Sequence, residues 1–552
     1  MNALVVAIVT LVAYIIAYRF YARFLGERIL SLDPVRSTPA KEFEDGIDFV
    51  PTRRVILFGH HFASIAGLGP ILGPAIAVIW GWLPAVLWIL FGSILIGCVH
   101  DMTTLFVSLR NRGRSIGDVA EKLVGPRARI LFLLLIFFTL SLAMGTFVRI
   151  IATLFSDAFH PESVLPVAAL IGLALAVGFL VYRRGMGIAP ATVVALVIMF
   201  LTVWLGIRYP VTGVGQSWWV YMLIIYAYVA SVLPVWLLLQ PRDYLNAYQL
   251  VIGMVLMYAG LFVMRPEITA PAVNHADTGA PSLFPFLFIT IACGAISGFH
   301  NLVSTGTTSK QLAQETDARP IGYGGMLAEG LLAMVVVLAC TSGVARSGWL
   351  DRYASWQSAS GLGAKMEAFV VGAGNFISQI GIPAEIAQSF IVVMAVGFAM
   401  TTLDSGTRLL RYNLEELGES FGCKPLCNRF IAAFVAVLGI AYFSLMTIEG
   451  RPAGLTLWEL FGTTNQILAA LGLLAVSLFL YRMKKPIVYT LAPMIAMMIM
   501  TVTAMIMKLR SNMEAGHWPL LAVGGVILVL VIWLVVESVL AFKSHLPGKD
   551  GA

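Results

Sequence analysis

The feature that most constrains this chain is a succession of long apolar stretches, each about as long as a bilayer is thick. A helix needs about 20 apolar residues to cross the hydrocarbon core. A window of about 19 residues finds roughly fifteen such stretches in the 552 residues. Hydrophobic residues make up 59% of the chain and charged residues only 12%. The sequence therefore predicts an all-α polytopic membrane protein with about fifteen transmembrane helices, embedded in the lipid bilayer.

The basic residues are concentrated in every second loop between these stretches. Cytoplasmic loops of membrane proteins carry an excess of Lys and Arg. This pattern predicts an external N-terminus, a cytoplasmic C-terminus and an odd number of spans. It also accounts for the net charge of +7, so nucleic acid is not indicated as a partner. The pattern carries no information on the oligomeric state.

Two of the apolar stretches are interrupted by polar and helix-breaking residues. The stretch 55–80 contains Gly-His-His-Phe-Ala-Ser-Ile-Ala-Gly-Leu-Gly-Pro at 59–70, and the stretch 283–305 contains Gly-Phe-His-Asn-Leu-Val-Ser-Thr-Gly at 298–306. The Gly-His-Gly pattern of positions 59, 61 and 67 recurs at 298, 300 and 306. Gly and Pro are common in ordinary membrane helices, but the histidines and hydroxyl residues at both interruptions favour two discontinuous helices.

By the charge pattern, these two interrupted helices cross the membrane in opposite directions. Paired interrupted helices of opposite orientation are typical of inverted-repeat secondary transporters. An interruption exposes N–H groups, which attract a carboxylate, and C=O groups, which attract a cation. The pattern therefore predicts a transporter with its binding site at the two interruptions. No phosphate-binding loop is evident, so the sequence shows no site for a nucleotide fuel. A membrane transporter without a cofactor is expected, rather than an enzyme.

Four stretches resemble the carbon starvation protein A (CstA) family of bacterial inner-membrane transporters. They are the run at 59–70, Gln-Pro-Arg-Asp-Tyr-Leu at 240–245, Ser-Gly-Phe-His-Asn-Leu-Val-Ser-Thr-Gly-Thr-Thr-Ser-Lys-Gln-Leu at 297–312 and Thr-Thr-Leu-Asp-Ser-Gly-Thr-Arg at 401–408. The resemblance covers most of the chain. It implies uptake of peptides or pyruvate with proton coupling as the usual proposal, and a fold near the amino acid–polyamine–organocation superfamily, which has a five-plus-five inverted-repeat core.

The resemblance also implies a division of the chain along that core. The implied segments are an N-terminal helix and cytoplasmic loop (1–54), a first repeat (55–208), two extra helices (209–282), a second repeat (283–481) and two C-terminal helices with a short tail (482–552). An external loop with a short interfacial helix is expected at 347–383, because this charged stretch falls on the outer side.

Candidate substrate-binding residues lie in and beside the two interruptions. They are His60, His61, Ser64, Gly67, Ser297, His300 and Ser304. Adjacent residues on a helix point about 100° apart, so only one of the two neighbouring histidines is expected to face the cavity. The serine hydroxyls could instead bond back to helical carbonyls, which is routine in membrane helices.

Candidate ion-coupling residues are two carboxylates and two hydroxyls. Asp101 and Asp404 lie at membrane depth, where a charge is costly and often functional, although Asp404 could also pair with Arg408. The resemblance adds Thr401 and Thr402, because sodium-coupled relatives of that fold hold the ion between such hydroxyls and the first interrupted helix. Arg242 and Asp243 fit either a gate ion pair or a basic interfacial anchor.

The sequence thus predicts a symporter that imports pyruvate or a short peptide, driven by a proton or sodium gradient. Two alternatives remain. A metal-dependent intramembrane enzyme would join the histidines with His100 and Asp101, although no metal-ligand spacing supports a metal site. A nutrient sensor would use the same histidine-rich cavity, but the short C-terminal tail leaves little room for a signalling domain.

Overall fold

The computed structural model describes residues 1–46, 48–356, 362–448, 451–452 and 454–544, and these are almost entirely helical. Most helices of the first half are long and apolar. They are α1 (Ala3–Leu30), α2 (Arg54–Ile65), α3 (Gly69–Ala77), α4 (Trp82–Arg110), α5 (Ile116–Leu123), α6 (Pro126–Leu154), α7 (Val164–Arg184), α8 (Ile188–Arg208), α9 (Gln216–Val232) and α10 (Leu239–Met264).

The second half is also mainly helical and contains a two-stranded hairpin. Its helices are α11 (Leu283–Thr290), α12 (Gly298–Gly306), α13 (Gly324–Ser342), α14 (Arg346–Tyr353), α15 (Leu362–Ser378), α16 (Ala384–Phe421), α17 (Arg429–Leu445), α18 (Gly454–Arg482), α19 (Val488–Glu514) and α20 (Trp518–Ser544). The strands β1 (Thr447–Ile448) and β2 (Arg451–Pro452) pair antiparallel.

Eleven helices in the described part of the chain are long and apolar enough to cross a membrane, and α2 with α3 adds a twelfth as one bent span. The protein is therefore a multi-pass membrane protein, as predicted, but the expected count of about fifteen is not confirmed. The other three predicted spans correspond to α9, to α11 with α12, and to α17. Each of these helices has 17 residues or fewer.

Both interrupted helices are present where the sequence predicts them. The first breaks between Ile65 and Gly69 with a bend of 47°. The second breaks between Thr290 and Gly298. Discontinuous helices of this kind are tolerated in a membrane only where protein surrounds the freed backbone.

The two interrupted helices run antiparallel. At one end, the Thr52 N–H just before α2 donates to the Gln311 carbonyl just after α12, at 2.9 Å. At the other end, the Trp80 indole N–H beyond α3 donates to the Pro281 carbonyl before α11, also at 2.9 Å. The start of each interrupted helix thus lies beside the end of the other. This is the relative direction expected from the charge pattern.

The helices that surround the breaks form the centre of the molecule. In the most apolar windows of α16 and α18, 89% of the residues are buried, compared with 33% in α1 and 28% in α20. The central helices therefore pack against protein on nearly all sides, and the first and last helices face lipid.

Two helices, α14 and α15, occupy the stretch for which the sequence predicts a loop with one short interfacial helix.

Gly73 on α3 allows the interrupted helices to touch. A Cβ at this position would overlap the carbonyl oxygen of Thr290 at the end of α11. We expect Gly73→Ala to lower the melting temperature of the protein in detergent, because overpacking against backbone costs about 1–3 kcal/mol.

The matched control is Gly172→Ala on α7, where an added Cβ meets no atom within 4 Å. Thermal unfolding followed by size-exclusion chromatography compares the two variants. Equal melting temperatures would show that the contact between α3 and α11 tolerates a methyl group.

Candidate functional site

The first break places its two histidines on different partners. His60 Nδ1 lies 2.6 Å from Asp243 Oδ2 on α10, and His61 Nδ1 lies 2.9 Å from the Thr308 hydroxyl just beyond α12. Both histidines are buried. The angular separation expected of neighbouring helical residues is therefore observed. Each imidazole belongs to a separate hydrogen-bond network.

Ser64 extends the network of His60 towards α16. Its hydroxyl donates to Asp243 at 3.2 Å and lies 3.4 Å from the hydroxyl of Ser405. This contact joins α2, α10 and α16 at the level of the break. The side chain is thus engaged with other side chains rather than bonded back to its own helix.

Gly67 lies in the break itself, directly against α16. A Cβ at this position would overlap the hydroxyl oxygen of Thr402, which is buried and has no hydrogen-bond partner among the described residues. The neighbouring Thr401 hydroxyl instead accepts a 2.5 Å bond from the Asn246 amide. Of the two threonines expected to face the first interrupted helix, Thr402 does so and Thr401 bonds to α10.

Asp404 forms an ion pair with Arg242, and both side chains are almost completely buried. The hydroxyl of Tyr226 completes this group, because it accepts from Arg242 at 2.6 Å and donates to Asp404 at 2.8 Å. Arg408 donates instead to the backbone carbonyls of Ala230 and Leu233. The alternative pairing of Asp404 with Arg408 is therefore not formed, and Arg242 is a buried partner rather than an interfacial anchor.

At the second break, a side chain from α18 satisfies the start of α12. The Asn465 amide oxygen accepts from the backbone N–H of Phe299 at 2.8 Å. The same amide group donates to the hydroxyl of Ser297 at 3.0 Å. The first N–H groups of a helix have no partner within the helix, so Asn465 caps α12 from outside. The start of α3 differs, because Pro70 has no N–H and the N–H groups of Ile71 and Leu72 donate to the carbonyl of Leu68.

His300 lies between two carboxylates in the first turn of α12. Its Nδ1 is 2.8 Å from Asp101 Oδ2 on α4, and its Nε2 is 3.1 Å from Glu329 Oε2 on α13. Asp101 also contacts His100 Nδ1 at 2.8 Å. All four side chains are fully buried. Asp101 is thus linked to the second interrupted helix, and we call these four residues the His300 network.

Glu329 and Tyr226 were not identified from the sequence as parts of the site. Glu329 is a single carboxylate inside an apolar span, and that isolation is a signal of function at membrane depth. Tyr226 carried no such signal, because its partner Asp404 lies 178 residues further along the chain. Ser304 was expected to bind substrate, and its buried hydroxyl has no hydrogen-bond partner among the described residues.

One set of described residues has metal-ligand chemistry. The ligand atoms of Cys293, His300 and Glu329 lie within 4.8 Å of one another. The imidazole and the carboxylate already contact each other directly, and Cys293 lies 3.5 Å from the hydroxyl of Ser297. His60 and His61 belong to other networks, so the histidines do not form the single metal cluster that an intramembrane enzyme would require.

Antiparallel interrupted helices with buried charged networks beside both breaks define a membrane transporter. The sequence pattern of the family described as "Carbon starvation protein CstA" matches residues 2–348 and 350–504. The chain belongs to this family, as the sequence motifs predict.

Named relatives agree with this assignment. "Peptide transporter CstA" of Escherichia coli (strain K12) is 36% identical, over 88% of this chain and 78% of the relative. "Pyruvate/proton symporter BtsT" of the same organism is 32% identical, over 93% of this chain and 82% of the relative. Among solved structures, MhsT in complex with L-phenylalanine covers 90% of this chain and 99% of its own at 14% identity, with a TM-score of 0.46.

The buried ion pair between Arg242 and Asp404 is expected to be strongly coupled. Removing one partner from a buried pair leaves an uncompensated charge and costs about 3–5 kcal/mol. We expect Arg242→Gln and Asp404→Asn each to lower the melting temperature markedly. The double variant should be more stable than the two separate losses predict.

The exposed pair of Arg510 and Glu514 on α19 provides the control, with a nitrogen–oxygen distance of 2.9 Å. Exposed pairs contribute about 1 kcal/mol or less, so Arg510→Gln should have little effect. Strictly additive losses in the Arg242 and Asp404 variants would contradict the predicted coupling.

Proposed function

We propose that the chain is a proton-driven symporter that imports a small carboxylate-bearing solute, pyruvate or a short peptide. The single observation that carries the proposal is the position of His300 between Asp101 and Glu329, directly after the second break. The network thus couples an exchangeable proton to the start of α12. The name of the relative BtsT, a pyruvate/proton symporter, supports the same coupling.

The charges of the His300 network favour the uptake of a proton. Two carboxylates and one protonated imidazole leave one negative charge. A buried net charge is costly in a low-dielectric interior, and one further proton on Glu329 removes that charge. Proton binding and release at this network is therefore sensitive to any ligand or movement that changes the water around the second break.

A second network of buried charged side chains lies beside the first break. Arg242 neutralises Asp404, and His60 faces Asp243. His60 therefore faces the carboxylate of this group that Arg242 does not pair with. Two networks of buried charged side chains thus lie beside the proposed substrate site, one at each interrupted helix.

The substrate carboxylate is proposed to bind where helix N–H groups are available. Negative groups are stabilised at helix N-termini. At the start of α3, the N–H of Gly69 has no hydrogen-bond partner among the described residues, whereas the start of α12 is capped by Asn465. We place the carboxylate at the start of α3, with Ser64 and Ser297 as further candidate contacts. His61 and Ser304 stay candidate substrate contacts.

Sodium is the alternative coupling ion. A sodium site between the first break and α16 would need free hydroxyl and carbonyl oxygens. Thr402 supplies one buried hydroxyl against Gly67, but the hydroxyl of Thr401 is held by Asn246. The charged side chains already present between α2, α10 and α16 favour the proton.

The transport cycle follows from the proposed repeats. The segments 55–208 and 283–481 would form the two halves of the core, and rocking of one bundle against the other would alternate access to the breaks. We propose the bacterial inner membrane as the location, with an external N-terminus and a cytoplasmic C-terminus.

The proposal is tested by uptake of labelled pyruvate and labelled dipeptides into proteoliposomes. Inward proton and sodium gradients are imposed separately. We expect one solute class to accumulate under the proton gradient and to be released by a protonophore. Accumulation only under the sodium gradient would contradict proton coupling, and accumulation of neither solute would contradict the assigned substrate class.

Replacement of His300 tests the coupling role directly. We expect His300→Gln to lower proton-driven accumulation by about tenfold or more, which corresponds to about 1.4 kcal/mol. Exchange of substrate across the membrane without a gradient should persist. The reason is that glutamine can hydrogen-bond to one carboxylate but cannot carry the proton.

The control variant is His275→Gln, at an exposed loop position between α10 and α11. It should leave both measurements unchanged. If His300→Gln accumulates substrate like the unmodified protein, with the same pH dependence, His300 does not carry the coupling proton.

A further inference from the structure

A groove between α1 and α13 lies on the lipid-facing side of the molecule, away from both breaks. It has a volume of about 720 Å³. One end is lined by apolar side chains that include Leu11, Ile15 and Leu331, and the other end by Arg19 and Arg319. The groove therefore changes from apolar to basic along its length.

The basic end lies at the depth of a membrane interface. Residues on an α-helix rise about 1.5 Å each, so Arg19 and Arg23 lie roughly 24–30 Å along α1 from Ala3. The hydrocarbon core is about 30 Å thick. If the first turn of α1 marks one face of that core, these arginines reach the opposite face, where phospholipid headgroups begin.

The basic end carries unneutralised positive charge. Arg23 pairs with Glu27, with nitrogen and oxygen 2.9 Å apart. Among the described residues, neither Arg19 nor Arg319 forms an ion pair. The guanidinium carbon of Arg319 lies 5.5 Å from the centre of the Tyr18 ring, and this packing holds the group in the groove. Three arginines and one glutamate leave an excess of two positive charges.

We propose that this groove binds one anionic phospholipid. Its phosphate lies between Arg19 and Arg319, and an acyl chain runs along Leu11, Ile15 and Leu331. Guanidinium groups bind phosphate oxygens with charge-assisted hydrogen bonds. Basic pockets between membrane helices on the cytoplasmic side select anionic headgroups. The order of apolar and basic surface matches a lipid, because the apolar part faces the hydrocarbon core and the basic part faces the headgroups.

A lipid bound in this groove would pack against α13, the helix that carries Glu329. α13 carries Glu329 two residues before Leu331, and Glu329 faces into the core while Leu331 lines the groove. A bound acyl chain therefore supports the outer face of the helix that presents Glu329 to His300. The proposal stands on the groove alone and does not depend on the transported solute or on the coupling ion.

Native mass spectrometry and thermal unfolding of the purified protein test the proposal. Dioleoyl phosphatidylglycerol is compared with dioleoyl phosphatidylcholine, which has the same chains and no net charge. We expect the anionic lipid to remain bound and to raise the melting temperature more. In the double variant Arg19→Gln/Arg319→Gln, its affinity should fall about fivefold for each arginine removed.

Two controls separate the groove from general charge effects. Arg184→Gln removes an exposed arginine from the end of α7 and should leave lipid binding unchanged. Ala328→Trp fills the groove but keeps both arginines, and it should also weaken binding of the anionic lipid. If this variant is poorly folded, the double arginine variant still decides, because it changes only partly exposed side chains.

Several results would overturn the proposal. These are equal binding of the two lipids, unchanged binding in the double variant, or the same stabilisation by inorganic phosphate without acyl chains. Cross-linking of Ile15→Cys into a dimer that excludes lipid would show that the groove is occupied by a second copy of the chain.

Discussion

The structure depends on one constraint: backbone groups freed inside a membrane must be buried in protein or line a water-filled cavity. Both interrupted helices release N–H and C=O groups at mid-span, where lipid supplies no hydrogen bonds. The most buried helices, α16 and α18, are the ones that approach the breaks. α16 brings Thr402 against Gly67, and α18 brings Asn465 to the backbone of Phe299. The arrangement of the central helices is thus a consequence of where the chain is interrupted.

A second constraint follows from the first, because the same interior holds charged side chains. Each charge there needs an opposite charge from another helix. Arg242 and Asp404 connect α10 to α16, and His300 connects α12 to α4 and α13. The links of His300 hold the interrupted helix α12 to its neighbours. The pair of Arg242 and Asp404 holds α16, which packs against Gly67 in the first break, to α10.

Much of the fold could be predicted from the sequence, because hydropathy and helix-breaking residues are local signals. The interruptions at 55–80 and 283–305 were located correctly, and their antiparallel direction followed from the loop charges. Asp101 and Asp404 were identified as carboxylates at membrane depth. Their pairing could not be predicted, because Asp404 is paired with Arg242 and Tyr226, and Asp101 with His300, on other helices. The number of spans also remained uncertain, since a helix of 17 residues and an interrupted helix give similar hydropathy signals.

The cap that Asn465 places on α12 affects the binding of anions at the second break. With its amide on the N–H of Phe299, the site at the second break is already filled by the protein itself. An anion arriving there must displace a tethered group of the same chain. The N–H of Phe299 is therefore not available to bind chloride or hydroxide unless Asn465 moves away. The cap therefore lowers the affinity of the second break for small anions, which would have to replace a hydrogen bond that the chain already makes.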